Sequence, residues 1–322
     1  MKTVLGIEST AHTFGVGITK GSKVLANVKK SYTTESGGII PMQAAKHHEK
    51  YYKQVISDAL KEAKLEIKDI DLISYSRGPG LGPCLRVGLL ATKELHEKFK
   101  IPFVGINHCV AHLEVGKAVT KAKDPVLLYA SGANTQVIAF EGGKYRVFGE
   151  TLDQGTGNFL DAFARYLGLG FPGGPKISEL AGRSDNFILL PYSVKGMDVS
   201  FTGLLTKLKQ LYDSGDYKVE DLCYSLQETA FAMLLEVSER AMAHCDKNEL
   251  LLGGGVACNT RLKEMSEIMC RERGAKCFIP DNSLLVDNGA MIAITGAKFY
   301  DSKKKYKLEI RPYERTDDVN VK

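Results

Sequence analysis

A duplicated α/β architecture is predicted for this chain on three observations. A meander of three strands, then helices, a strand and a helix, occurs twice in the same order. The stretch KAKDP at 121–125, with its proline and charges, separates the two rounds as a hinge. Finally, 322 residues can bury two lobes of core. The boundaries read from this pattern are 1–124 and 125–322, with a polar tail from about 301.

The first round opens with TVLGIEST, FGVGIT and KVLANV, three apolar segments that Val4, Leu5 and Ile7 begin and that AHT (11–13) turns. AAKHHEKYYKQVISDALKEAK has apolar positions at helical spacing, which predicts a helix over about 44–64. DLISYS (71–76) reads as a buried strand. RGPGLGPCLRVGLLATKELHEKF is a Gly/Pro loop opening into a helix, and PFVGIN (102–107) is a short strand that delivers the chain to NHCVAHLEVG. In the second round PVLLYASG, TQVIAFEGG and KYRVFGETL are strands turned by GANT and GGK. Helices follow, notably over 158–168 and 221–244. ELLLGGGVACN (249–259) is a strand–loop–helix unit, and KCFIP (276–280) is one more strand.

Composition excludes several classes. No apolar run reaches eighteen residues, so no membrane span is predicted, and MKTVLGIEST enters a strand without the apolar core and cleavage site of a signal peptide. Seven cysteines with no C-x-x-C pair argue against a disulfide framework and against a structural zinc site. A cytoplasmic protein with reduced thiols is expected. The net charge of +5 is compatible with RNA but does not select it; the densest run is SKKKYK at 302–307.

His108 and His112 stand four apart, so on a helix both imidazoles leave one face and can meet on one ion. Two polar residues on a half-buried helix explain the same spacing. Three turns at strand ends suit anions: GIESTAHT (6–13), YASGANT (129–135) and the glycine-rich LLGGGVACN (251–259), where a helix N-terminus accepts negative charge. None is a Walker loop. Two strand–turn–strand loops, one in each half, and then a glycine-rich strand–helix turn resemble the actin, Hsp70 and sugar-kinase (ASKHA) superfamily, whose two duplicated lobes hold a nucleotide site between them.

A more specific resemblance spans about residues 3–300. GIESTAHT, GGIIPMQAAKHH (37–48), RGPGLGPCLRVG (77–88), NHCVAH, LLYASGANTQ, ETLDQGTGNFLDAFAR (150–165), FPGGPKI (171–177), PYSVKGMDVSFTGL (191–204), GGGVACN and VDNGAMIA (286–293) follow one family in order. The chain resembles the threonylcarbamoyl transferases of tRNA modification, the archaeal and eukaryotic KEOPS subunit related to bacterial TsaD and formerly labelled glycoprotease.

The resemblance implies transfer of a threonylcarbamoyl group from its AMP anhydride to the exocyclic amine of adenosine 37 in tRNAs reading ANN codons. It implies one divalent metal, Fe2+ ahead of Zn2+, on His108, His112, Tyr129 and Asp287. It also implies a nucleotide, ATP or threonylcarbamoyl-AMP, held by Tyr129, Ala130, Ser131, Gly132, Ala133, Asp161, Gly174, Ser178 and Asn259. The implied partners are tRNA, a small kinase, a dimerising subunit and a tRNA-binding subunit; in some archaea the kinase is fused behind the transferase. Read without the family, Asp287 is an N-cap before NGAMIAITG and Asp161 a capping or surface carboxylate. No general base is assigned, with Glu8 and His12 the candidates.

Three departures stand out. Ala133 replaces a glycine of SGGNTQ, Ser178 stands where the family's acidic residue falls, with Glu179 beside it, and Thr202 replaces the serine of F-S-G-L. Among rival readings, a zincin protease needs H-E-x-x-H where this chain has HCVAH. A small-molecule kinase leaves the histidine pair unexplained. A nucleotide-driven scaffold or ATPase without acyl transfer is the remaining alternative.

Overall fold

The structure, a computed structural model, describes residues 1–34 and 38–319. Gly37, which opens GGIIPMQAAKHH, and the last three residues of the polar tail lie outside the described residues. The first stretch runs β1 (Thr3–Glu8), β2 (Thr13–Lys20), β3 (Lys23–Ser31), α1 (Pro41–Ala63), β4 (Leu72–Gly78), α2 (Gly82–Phe99), β5 (Phe103–Asn107) and α3 (His108–Val119). The second runs β6 (Val126–Ala130), β7 (Thr135–Glu141), β8 (Lys144–Glu150), α4 (Thr156–Tyr166), α5 (Gly174–Ala181), β9 (Val194–Lys195), β10 (Asp198–Val199), α6 (Thr202–Ser214), α7 (Val219–His244), β11 (Glu249–Gly253), α8 (Thr260–Arg273) and β12 (Lys276–Phe278). The chain then continues through α9 (Asn282–Leu285) and α10 (Gly289–Phe299).

These elements form two compact units: Met1–Thr33 with Ile39–Lys121 and Asp281–Lys322, and Thr34–Gly38 with Ala122–Pro280. The first unit thus takes in residues 281–322, which the sequence pattern placed with the C-terminal lobe. The sheets repeat one topology, β3-β2-β1-β4-β5 in one unit and β8-β7-β6-β11-β12 in the other. In each, three antiparallel meander strands are followed by two strands parallel to the first. A parallel strand buried on both faces needs apolar residues in succession. β1 supplies them: Val4, Leu5 and Ile7 are all fully buried. Leu5 and Ile7 join the core with α1 and α2, and Val4 joins the core with α3 and α10.

Close packing of α10 on the sheet comes from missing side chains. A Cβ on Gly17 would lie 2.1 Å from the Ala290 nitrogen, and one on Gly289 would lie 2.0 Å from the Gly17 nitrogen. Backbone therefore rests on backbone, and the start of α10 is held against β1 and β2. The polar tail is not a free linker. Tyr75 Oη donates to the Glu309 carbonyl at 3.0 Å, the Arg311 amide donates to the Arg77 carbonyl at 2.6 Å, and Arg77 pairs with Glu314 at 2.7 Å. None of the seven cysteines forms a disulfide. Among the described residues no helix is long and apolar enough to cross a membrane.

Candidate metal centre and nucleotide loops

β5 ends at Asn107, whose side-chain oxygen caps α3 by accepting from the Val110 amide at 3.2 Å. That cap starts the helix at His108, and His112 follows one turn on. The two rings lie 4.9 Å apart by centroid, and both residues are buried. Asp287 Oδ1 stands 3.4 Å from His108 Nε2 and 3.4 Å from His112 Nε2. These distances exceed the range of a good N–H···O bond. They do match a metal site, where donors about 2.1 Å from one ion at tetrahedral angles stand about 3.4 Å apart. Two imidazoles and a carboxylate within 4.8 Å of one another thus fit a divalent ion.

The N-cap reading of Asp287 is corrected by its neighbour. Asn288 caps α10, accepting from the Met291 amide at 2.9 Å, so the Asp287 carboxyl is available to the histidines. Burial alone would push Asp287 up, but His108 and His112 beside it hold it well below the usual carboxylate range. Burial lowers His112. An ionised carboxylate and a neutral imidazole are the states in which these groups bind a cation. Cys109 is fully buried and pushed up, which keeps it a thiol.

Glu8, at the end of β1, is fully buried and faces the other side of His108. Its Oε2 lies 3.0 Å from His108 Nδ1, and its Oε1 accepts from the Thr10 amide at 2.7 Å and the Thr10 hydroxyl at 2.6 Å. A carboxylate there places the proton on Nδ1 and turns the Nε2 lone pair toward His112 and Asp287. Glu8, a candidate base in the sequence, is thus engaged at both oxygens, by His108 on one side and Thr10 on the other. The pair is 100 positions apart in the chain, so no local signal announced it. His12, the other candidate, is half-buried in the same loop.

In the second unit Tyr129 and Ala130 are buried at the end of β6. Ser131–Asn134 is a tight turn, closed by the Ser131 amide and hydroxyl donating to the Asn134 carbonyl at 3.0 and 2.9 Å. The carbonyls of Ser131 and Gly132 accept from the Gly157 and Asn158 amides, both at 2.9 Å, so this turn seats on the start of α4. Ala133 is exposed and has no positive φ, so its methyl costs no strain. Gly254 (φ +89°) abuts the same turn: a Cβ there would lie 2.3 Å from the Ala130 carbonyl oxygen. Two of the three loops expected at strand ends, 129–135 and 251–259, are thus brought together.

Asp161, further along α4, accepts from the Gly173 amide at 2.7 Å and so fixes the entry to α5 at Gly174. Ser178 is half-buried on α5, while Glu179 turns outward to pair with Arg183 at 2.5 Å and does not take the Ser178 position. Asn259 is the N-cap of α8, accepting from the Arg261 and Leu262 amides at 2.8 and 3.2 Å and donating to Gln227 Oε1 at 2.7 Å. Gln227, nearly buried on α7, went unmarked in the sequence. Asp153 gathers Ser200, Phe201 and Thr202; the Thr202 hydroxyl donates to it at 2.6 Å, which is why threonine serves where serine is usual.

Comparison with known proteins places this arrangement. The structure of full-length HypF in its phosphate- and nucleotide-bound form superposes with a TM-score of 0.63 at 10% identity, over 94% of this chain and 56% of that one. The two proteins share this two-sheet α/β fold. The family model described as TsaD, tRNA N6-adenosine threonylcarbamoyltransferase, matches residues 23–294. The tRNA N6-adenosine threonylcarbamoyltransferase of Thermococcus sibiricus is 54% identical over 320 residues, 98% of each chain. A probable bifunctional tRNA threonylcarbamoyladenosine biosynthesis protein of Methanosarcina acetivorans is 52% identical over 99% of this chain and 59% of that one. The chain belongs to the TsaD family; it is an enzyme, a transferase that modifies tRNA.

Proposed function

We propose that the enzyme takes threonylcarbamoyl-AMP as donor and acylates the exocyclic amine of adenosine 37 in ANN-decoding tRNAs, with His108, His112 and Asp287 holding one divalent metal. The single observation that carries this reading is the convergence of two imidazoles and one carboxylate at 3.4 Å spacings. Two histidines and a carboxylate without a thiolate suit Fe2+ and Zn2+ alike, and the family resemblance puts Fe2+ first. When bound, such an ion supplies Lewis acidity toward the donor's oxygens. The chain's own residues do the rest. Glu8 orients His108, and the 131–134 and 254–259 loops offer a small-residue cradle suited to phosphate and ribose. The target amine is a poor nucleophile, so positioning against an already activated acyl group carries much of the rate.

The roles given to Tyr129, Asp161, Gly174, Ser178 and Asn259 rest on the family motifs and are part of this proposal. So are a cytoplasmic location and the KEOPS partners: a kinase, a dimerising subunit and a tRNA-binding subunit. The bifunctional Methanosarcina relative, in which this chain spans 59% of the length, supports a second activity coupled to this one.

The test is single-turnover transfer from pre-made threonylcarbamoyl-AMP to unmodified tRNA, with partner subunits added and the nucleoside read by mass spectrometry. Wild type is expected to give N6-threonylcarbamoyladenosine, and His108→Ala at least a hundredfold less. Equal transfer by both would remove the metal from the reaction. ATP turnover without transfer by wild type would establish the scaffold alternative instead.

A further inference from the structure

The densest basic run of the chain, KKKYK at 303–307, opens the segment 303–315, KKKYKLEIRPYER, which Asp301 precedes and Asp317 and Asp318 follow, with Arg315 paired to Asp317 at 3.1 Å. This segment is fastened to the first unit by Tyr75 and Arg77, and its anchors Glu314 and Thr316 are buried. Between the segment and the sheet lies a cavity of about 310 Å³, lined by Arg77, Lys305, Tyr306, Lys307, Glu309 and Arg311. Lys305 and Lys307 are exposed. Arg77 pairs with Glu314, and Arg311 with both Glu309 and Glu314, so the two guanidiniums are charge-balanced while keeping N–H donors that these carboxylates do not use. The cavity therefore offers two cations outside these pairs, Lys305 and Lys307, beside guanidinium N–H donors.

A second observation comes from the next turn of chain. Tyr313 is 94% exposed while Glu314 beside it is 6% exposed. An aromatic ring presented to solvent from a fastened backbone is unfavourable on hydrophobic grounds alone. It is the form taken by stacking platforms for unpaired bases. Cations that meet phosphates, next to a ring that meets a base, describe single-stranded nucleic acid more closely than an acidic protein surface, which needs no stacking platform.

The place is also suitable. Gly105, which lines the same cavity, lies on β5 three residues before His108, about 10 Å of extended strand. Glu314 joins the two regions: Oε1 pairs with Arg77 at 2.7 Å, and Oε2 accepts from Asn107 Nδ2 at 3.2 Å, the residue that caps the histidine helix. We propose that the segment 303–315 is the surface on which this enzyme holds the phosphate backbone of its tRNA, with Lys305, Lys307, Arg77 and Arg311 taking phosphates and Tyr313 stacking on an unpaired base. The proposal rests on the tRNA-modifying activity and adds where the RNA is held.

Fluorescence anisotropy with the full chain and a labelled, unmodified tRNA transcript tests it across 50–200 mM KCl. The double variant Lys305→Glu, Lys307→Glu is expected to bind at least tenfold more weakly and to lower the slope of log K against log salt by about 2. Lys305→Arg with Lys307→Arg keeps the wild-type slope. Tyr313→Ala weakens binding about tenfold with the slope unchanged, because stacking releases no counterions. Melting temperatures and metal content equal to wild type establish that the variants fold. Wild-type affinity and slope in the double Glu variant, or no tRNA affinity in wild type, overturns the proposal and leaves an acidic protein as occupant. Failure of the transfer reading is separate: it shows as wild type that binds tRNA but gives no N6-threonylcarbamoyladenosine.

Discussion

Single side chains decide the chemistry, and two of them carry predictions. Glu8 touches no proposed ligand atom directly, yet it holds the Nδ1 side of His108 at 3.0 Å. Glu8→Gln can present its amide nitrogen there and favour the wrong imidazole tautomer. Titration with Co2+ as a spectroscopic probe should then show metal affinity reduced by roughly 10- to 100-fold, the usual effect of removing such an orienting partner. Unchanged affinity would reduce Glu8 to a clamp on Thr10. His48 is the second case. Burial, with His47 beside it, pushes its imidazole down to about 4, against the pull of the Ala11 carbonyl at 3.0 Å. The unfolded chain takes this proton near the ordinary value of about 6.5 and the folded one only near 4, so stability is full above 6.5 and falls as pH drops through that window. The expected loss is of order 1–3 kcal/mol at pH 4, read from urea midpoints. His48→Gln should flatten the dependence, and an identical profile in the variant would show that another group titrates. Local sequence could not reveal either role, because Glu8 and His108 are 100 positions apart and His48 and Ala11 are 37 apart.

Elements were far more legible, for a physical reason that also marks where legibility stops. α1 begins at Pro41 where periodicity predicts about 44, and α7 at Val219 where it predicts 221, because a half-buried helix writes its contact face every third or fourth residue. The histidine pair was legible on the same ground. Asp287 was not: D-N-G before a helix reads as a cap at either acidic or amide residue, and only the structure shows Asn288 taking the amide. The stretch from 301 read only as a polar tail, whereas its order comes from contacts such as Tyr75 to Glu309 that span 234 positions. Placement of α10 depends on glycine in a way that can be tested. Gly17→Ala puts a methyl 2.1 Å from the Ala290 nitrogen, with no flexible side chain to yield, so α10 must shift and carry Asp287 with it. A loss of about 1–3 kcal/mol in thermal unfolding is expected, together with weaker metal binding. Gly203→Ala is the control: nothing lies within 4 Å of its added Cβ, and alanine inside α6 should hold or raise stability. Equal behaviour of the two variants would mean that the α10 contact is soft.

At the scale of the whole molecule the two units repeat one sheet topology but differ in how the chain builds them. The second is nearly continuous, Ala122–Pro280 with a short piece at Thr34–Gly38, whereas the first needs Asp281–Lys322 to return to it. What returns is not peripheral. Ala290, Met291, Ile292 and Ala293 are fully buried in the core that Val4, Leu72, Val104 and Ile106 supply from the sheet. Asp287 arrives with them, so the three candidate ligands of the proposed metal centre meet only when the two distant stretches of chain are joined. Residues 1–121 alone therefore lack one cover of their sheet and one ligand, and are expected to be unfolded or aggregated. A chain of 122–280, which keeps its five-stranded sheet, is expected to fold by itself with a cooperative melt. Adding 281–319 in trans to 1–121 should restore native circular dichroism and, with it, binding of one Co2+ per complex. The metal is the sharper readout, because collapse onto any apolar peptide would recover helix content but only the native register places Asp287 beside His108 and His112. If 1–121 folded and bound Co2+ without the returning segment, α10 would be an ornament on a complete domain and the three-residue site would be wrong.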